Sequence, residues 1–166
     1  MKIICIGRNY AEHIAELQHE RPTDPVIFMK PDSAILPAHN PFYIPDFSND
    51  LHYEVELVVK INRLGKHIAP RFAHKYYEEI GLGIDFPDLN AIEFGLTKNR
   101  EWVQKGNSEM MLWKIDELIA YVSQFFTLKI GDLIFTGTPA GVGKVSPEDE
   151  LVGFIGEKKM FEVKVK

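Results

Sequence analysis

Two glutamates set two residues apart, Glu54 and Glu56, are of a type and spacing that could do chemistry. They lie in the run 51–61, Leu-His-Tyr-Glu-Val-Glu-Leu-Val-Val-Lys-Ile, which reads as one β-strand. Strand alternation puts both carboxylates on one face and Val55, Leu57, Val59 and Ile61 on the other, where they can enter a core. At the rise of a strand the two acids sit roughly 6–7 Å apart. In a concave, partly buried site that arrangement is repulsive unless a cation lies between them. Oxygen ligands at this spacing suit a hard divalent ion, Mg²⁺ first and Mn²⁺ or Ca²⁺ next. A half-exposed strand with a polar outer face is the competing account, and on this strand alone the simpler one, because Glu is mostly exposed.

The second constellation is His13 with Glu16. The spacing predicts a helix over 11–19, on which these two share a face while Ile14 and Leu17 form the apolar side. A solvated His/Glu pair on a surface helix accounts for this. So does a dyad in which the carboxylate orients an imidazole that takes a proton from water. His19, His39, His67 and His74 have no ligand spacing to one another and read as surface or core residues, while His52 neighbours the acidic strand face. Trp102, Trp113 and the pair Tyr76-Tyr77 read as packing. Cys5, the only cysteine, sits in an apolar run and reads as a buried structural thiol.

The elements that must position these residues are short. Strands are expected at 2–6, 26–29, 81–84 (with Asp85 near its end) and 133–136. Residues 32–50, with Pro37, Pro41 and Pro45, read as extended and irregular. A helix is expected over 72–80, and the clearest amphipathic helix over 115–125, with Asp116 and Glu117 suited to its N-terminus. Residues 91–97 and 101–104 form a predicted hairpin around Lys98-Asn99-Arg100, with Asn99 at positive φ. Residues 137–143 form a glycine-rich loop, and 150–155 with 159–165 a second hairpin around Gly156. Short strands with three helices between them give an α+β, mostly β class.

At 166 residues, one domain over 1–166 is the expectation. A net charge of −5 argues against nucleic-acid binding and means that an anionic substrate needs a local positive centre. No stretch approaches membrane-spanning length and the first residues do not begin a signal peptide, so a cytoplasmic protein with no membrane partner is expected.

Several stretches together resemble the fumarylacetoacetate hydrolase family, in the short single-domain form that includes acylpyruvate hydrolases and oxaloacetate decarboxylases. They are Gly7-Arg8-Asn9-Tyr10 with His13 and Glu16, Phe28-Met29-Lys30-Pro31, the Glu54-Val55-Glu56 strand, Gly83-Ile84-Asp85, and the run from Gly131 through Thr136-Gly137-Thr138-Pro139 to Gly143. The resemblance implies a mixed β-sandwich or β-roll with a few short helices, and a homodimer. It implies Glu54, Glu56 and Asp85 as ligands of a divalent cation, usually Mg²⁺. His13 and Glu16 become the water-activating dyad on a helix that orders over substrate, and Thr138 a contact to the substrate carboxylate. Arg8 and Lys30 fall near the same site, although Lys30 serves equally as a partner for the acidic cluster and Arg8 as a structural residue. The expected substrate is a small 2-oxo acid. In an acylpyruvate, water activated by neutral His13 attacks the distal carbonyl and pyruvate leaves as its enolate. Decarboxylation of oxaloacetate and isomerisation of a 2-hydroxyhepta-2,4-diene-1,7-dioate draw on the same site, and a non-catalytic metal- or acid-binding domain is the rival of another class. One departure stands out. Phe86 runs straight into Pro87, where the family carries several tens of residues with a substrate-binding Arg, Gln and Lys. A mobile loop of the protein that is missing from this sequence is the favoured explanation, and a true deletion the other.

Overall fold

Ile3, Ile4, Cys5 and Ile6 are each no more than 2% exposed. A continuous apolar run of this kind suits a strand covered on both faces. In the computed structural model, which describes residues 1–18, 20–37, 40–48, 50–81 and 92–166, it forms β1 (Ile3–Gly7). β1 lies inside a five-stranded mixed sheet. It pairs antiparallel with β2 (Val26–Lys30) and parallel with β8 (Leu133–Phe135). β8 pairs antiparallel with β4 (Val58–Ile61), and β4 with β5 (Tyr77–Ile80) at the far edge.

A second sheet, antiparallel throughout, has the order β11-β10-β6-β7, with β6 at Glu93–Lys98, β7 at Glu101–Asn107, β10 at Glu150–Ile155 and β11 at Lys158–Lys164. The turn of the first hairpin is Asn99-Arg100, both at positive φ, the pattern that matches strand twist in a two-residue hairpin. Asn99 ties it down, donating to Asp149 Oδ1 at 2.8 Å and accepting from Glu150 N at 2.9 Å. The two sheets and the helix α3 (Ile115–Phe125) share one core, with Val59, Ile61, Leu96, Leu118, Ile119 and Ile134 among its members. α3 has the bounds its apolar spacing predicts. Strands and bridges hold 38% of the described residues and helices 20%, so the α+β, mostly β class and the mixed-sheet architecture stand.

Three expectations are corrected. The run 51–61 is not one strand. β3 (His52–Tyr53) pairs with β9 (Gly143–Lys144), β4 begins at Val58, and 54–57 between them belongs to no ladder. Residues 72–80 do not form one helix. A short α2 (Pro70–Ala73) and a 3-10 turn lead into β5, because Tyr77 and Ile80 are buried and the backbone pairs with β4. That pairing outweighs a spacing that also fits a helix. Finally, α1 (Ala11–Glu16) is shorter than 11–19, and Leu17 at its end is 44% exposed rather than apolar packing. His19, His39 and the expected strand at 82–84 with Asp85 lie outside the described residues.

Candidate active site

The 54–57 segment keeps strand-like alternation without a strand partner. Val55 and Leu57 are buried, Glu54 is exposed and Glu56 half-buried. Buried backbone groups must still be paired, and here distant side chains do it. Val55 N donates to Gln104 Oε1 at 2.9 Å, and Val55 O accepts from Thr138 Oγ1 at 2.9 Å. Leu57 O accepts from both Thr136 N and Thr136 Oγ1, at 3.1 and 3.0 Å. The glycine-rich loop therefore stands where a neighbouring strand would.

That loop also holds the acids. Gly137 N donates to Glu56 Oε2 at 2.6 Å. Burial pushes the Glu56 carboxyl up to about 7; the Gly137 hydrogen bond opposes this, Glu54 adds to it, and Lys30 opposes it weakly. Four residues on, Gly141 N lies 3.2 Å from both carboxylate oxygens of Glu16. Glu16 Oε2 is in turn 3.3 Å from His13 Nδ1. In a neutral imidazole that donates from Nδ1 to this carboxylate, Nε2 is the free nitrogen. His13 is 6% exposed, so the imidazole is seated against the protein, while Glu16 stands at the exposed surface beside it. Gly141 has φ +98, and a Cβ there would stand 2.1 Å from Val103 O, so only glycine brings its N–H to Glu16.

Upstream, Asn9 fixes the approach to α1. Fully buried, it accepts from Trp113 N at 2.8 Å and donates to Thr136 O and Trp113 O at 2.9 and 3.1 Å. Arg8 before it sits at φ +58, a strained backbone for a residue with a side chain, and is exposed. Lys30, at the end of β2, is exposed and within electrostatic reach of Glu56. Thr138 is 5% exposed, its hydroxyl bridging Gln104 and Val55. His52 is paired with Asp50 at 3.0 Å. Trp102 is half-exposed over Phe154 and under Lys105 rather than buried in packing. Cys5 is buried, and burial pushes its thiol up to about 11, as an inert structural cysteine requires.

Sequence reasoning missed Asn9 and Gln104 as functional positions. Asn9 stands in the run Gly7-Arg8-Asn9-Tyr10 and Gln104 between Val103 and Lys105, so neither amide marks itself as buried in the sequence. Among the described residues no three acidic, histidine or cysteine side chains cluster as a complete metal site. Glu54 and Glu56 are two of the three expected ligands, and Asp85 lies outside the described residues. The donor set nevertheless fits a hard divalent ion. It is all carboxylate oxygen, and Glu56 is a half-buried acid beside another acid, with one backbone N–H against its charge.

The fold is a mixed two-sheet one, with an acidic pair and a His–Glu pair held at opposite ends of one glycine loop. The family model described as "Fumarylacetoacetate (FAA) hydrolase C-terminal" matches residues 2–85 and 78–165, so the chain belongs to the fumarylacetoacetate hydrolase family. It is similar to the mouse protein named "Oxaloacetate tautomerase FAHD1, mitochondrial", 32% identical over 201 positions that take in 99% of this chain and 91% of the relative. It is 34% identical to "Oxaloacetate decarboxylase, mitochondrial" of Dictyostelium discoideum, over 88% of this chain and 84% of that one. The crystal structure of fumarylpyruvate hydrolase from Pseudomonas aeruginosa in complex with Mn²⁺ and pyruvate matches 99% of this chain and 89% of its own at a TM-score of 0.91 and 26% identity. The chain is therefore an enzyme, and the reading as a non-catalytic binding domain is dropped. The mouse alignment is longer than the 166 residues of this chain, so that relative carries residues for which this chain has no counterpart. The two family matches meet at 78–85, beside Phe86-Pro87.

Proposed function

We propose that the protein is a Mg²⁺-dependent hydrolase cleaving a C–C bond in an acylpyruvate-type 2,4-dioxo acid. One observation carries this reading. The N–H groups of Gly137 and Gly141 hold Glu56 and Glu16 respectively, so one loop anchors a member of the acidic pair and a member of the His13–Glu16 dyad. Four residues of chain bound the separation of the two glycines at roughly 14 Å. Glu54 and Glu56, with Asp85, would hold the divalent ion, which when bound supplies Lewis-acid polarisation of the 2-oxo acid end. The chain's own residues do the rest. His13 Nε2 takes a proton from the attacking water, and Glu16 keeps Nδ1 protonated and the ring oriented. Arg8 and Lys30 bring positive charge to a substrate that a chain of net charge −5 would otherwise repel. Thr138, with its hydroxyl already held by Gln104, presents the loop toward the substrate carboxylate.

Tautomerisation or decarboxylation of oxaloacetate is a second reading, favoured by the names of the mouse and Dictyostelium relatives. Neither needs water attack, so His13→Ala separates them from hydrolysis: hydrolysis should fall far more, and equal losses would count against the dyad's role. Glu54→Ala should abolish turnover with the fold kept, and turnover that survives it on every 2-oxo acid tried would sink the metal reading. A homodimer, a cytoplasmic location and one domain over 1–166 belong to the same proposal. So does a substrate loop between Phe86 and Pro87 in the protein as made, which an intact mass well above 19.0 kDa would support and a mass equal to it would contradict.

A further inference from the structure

We propose that Gln104 is a positioning residue that couples the acidic pair to the glycine loop, so that the binding of a divalent cation depends on an amide that never touches it. The inference rests on the metal reading above. Gln104 sits on β7, in the other sheet, and is 1% exposed. Its orientation is unambiguous, because Val55 N can only donate and Pro139 O can only accept. Oε1 therefore faces Val55 at 2.9 Å, and Nε2 faces Pro139 O and Thr138 Oγ1, each at 2.9 Å. The Thr138 hydroxyl, accepting from Gln104, has its own proton to give, and gives it to Val55 O at 2.9 Å. The bonds form a closed ring: Val55 N–H to Gln104, Gln104 to Thr138, Thr138 to Val55 O. Every member is buried.

Val55 is the residue between Glu54 and Glu56. Both of its backbone groups are fixed by this ring and neither by a ladder, since 54–57 has no strand partner. The direction in which the two carboxylates leave the backbone is thus set by Gln104 and Thr138. A regular ladder would hold the segment through its own backbone partners, whereas the ring ties it to the same loop that carries Gly137 and Gly141. An ion that draws the two acids together pulls on Val55, and through the ring on Thr138 and Pro139.

The test measures Mn²⁺ affinity by the free-ion EPR signal, at pH 7.5, on the full chain. The proteins are wild type, Gln104→Met, Thr138→Val and Thr138→Ser, each checked by circular dichroism. We expect the dissociation constant to rise tenfold or more in Gln104→Met and in Thr138→Val, and to stay within threefold in Thr138→Ser, which restores the hydroxyl. Val55 amide exchange, followed by NMR, should be slow in wild type and accelerate in both damaging variants. Wild-type binding that Gln104→Met leaves within twofold would overturn the coupling alone. If Gln104→Met does not fold, the threonine pair decides, and equal affinities for Thr138→Val and Thr138→Ser overturn it. A wild-type protein that binds no Mn²⁺ takes down the metal reading and the coupling with it.

Discussion

Two acids in this molecule sit at opposite ends of β8 and its loop and are treated in opposite ways. Asp132, before β8, is 1% exposed; it accepts from Lys2 N and Lys129 N, each at 2.8 Å, and pairs with Lys2 Nζ. Burial alone would raise its carboxyl, but the Lys2 ammonium and the two N–H groups hold it below the usual range. Glu56, beyond the other end, has one N–H, a second acid as neighbour and a distant lysine, and burial pushes it up to about 7. The first carboxylate is complete within the fold. The second has no ion-pair partner among the described residues, which is why the acidic pair is proposed as a cation site and Asp132 reads as a brace.

Substitution should separate the two. Glu56→Ala is expected to lower turnover of a 2-oxo acid by about 10³-fold or more, assayed with Mg²⁺, while the thermal midpoint of the metal-free protein at pH 8 rises or holds. Asp132→Asn should do the reverse. It leaves Lys2 Nζ without its partner charge and costs about 3 kcal/mol or more in urea unfolding, with turnover per folded molecule largely kept. His13→Ala should slow hydrolysis by about 10²–10⁴-fold, read on an acylpyruvate beside oxaloacetate in the same assay.

pH sharpens the comparison further. The Glu56 carboxyl is raised in the folded, metal-free protein, so its contribution is harmless below the unfolded value near 4.3 and becomes a loss of stability as pH rises from there through about 7. The Asp132 carboxyl is lowered, so its stabilisation is present above the unfolded value near 3.9 and disappears as pH falls through the folded one. Denaturation midpoints of metal-free protein from pH 3 to 8 should therefore drop at both ends. Glu56→Gln should flatten only the upper arm and Asp132→Asn only the lower.

Much of this was legible in the chain. Val55, Leu57, Val59 and Ile61 recur at every second position, and that alone set Glu54 and Glu56 on the opposite face. The i, i+3 spacing brought His13 to Glu16, and Asn99 announced its hairpin through its tolerance of positive φ. What stayed hidden was the break at 54–57, because the groups that satisfy Val55 and Leu57 lie far along the sequence in Gln104, Thr136 and Thr138. A local pattern carries no record of such partners. Tyr76, Tyr77 and Ile80 fit helical spacing as well as a strand, and pairing with β4 decided between them. The glycines at 137 and 141 looked like turn residues, and their use as N–H donors to two separate acids emerges once the loop is folded against β7.

Glu54 and Glu56 are proposed to hold a divalent cation. Calorimetric titration of metal-free protein with Mg²⁺ and with Mn²⁺ at pH 7.5, wild type beside Glu56→Gln, tests it most directly. Wild type should take up one ion per chain, and the variant should bind at least 100-fold more weakly. Wild-type binding that Glu56→Gln leaves unchanged, or no binding at all, would contradict it.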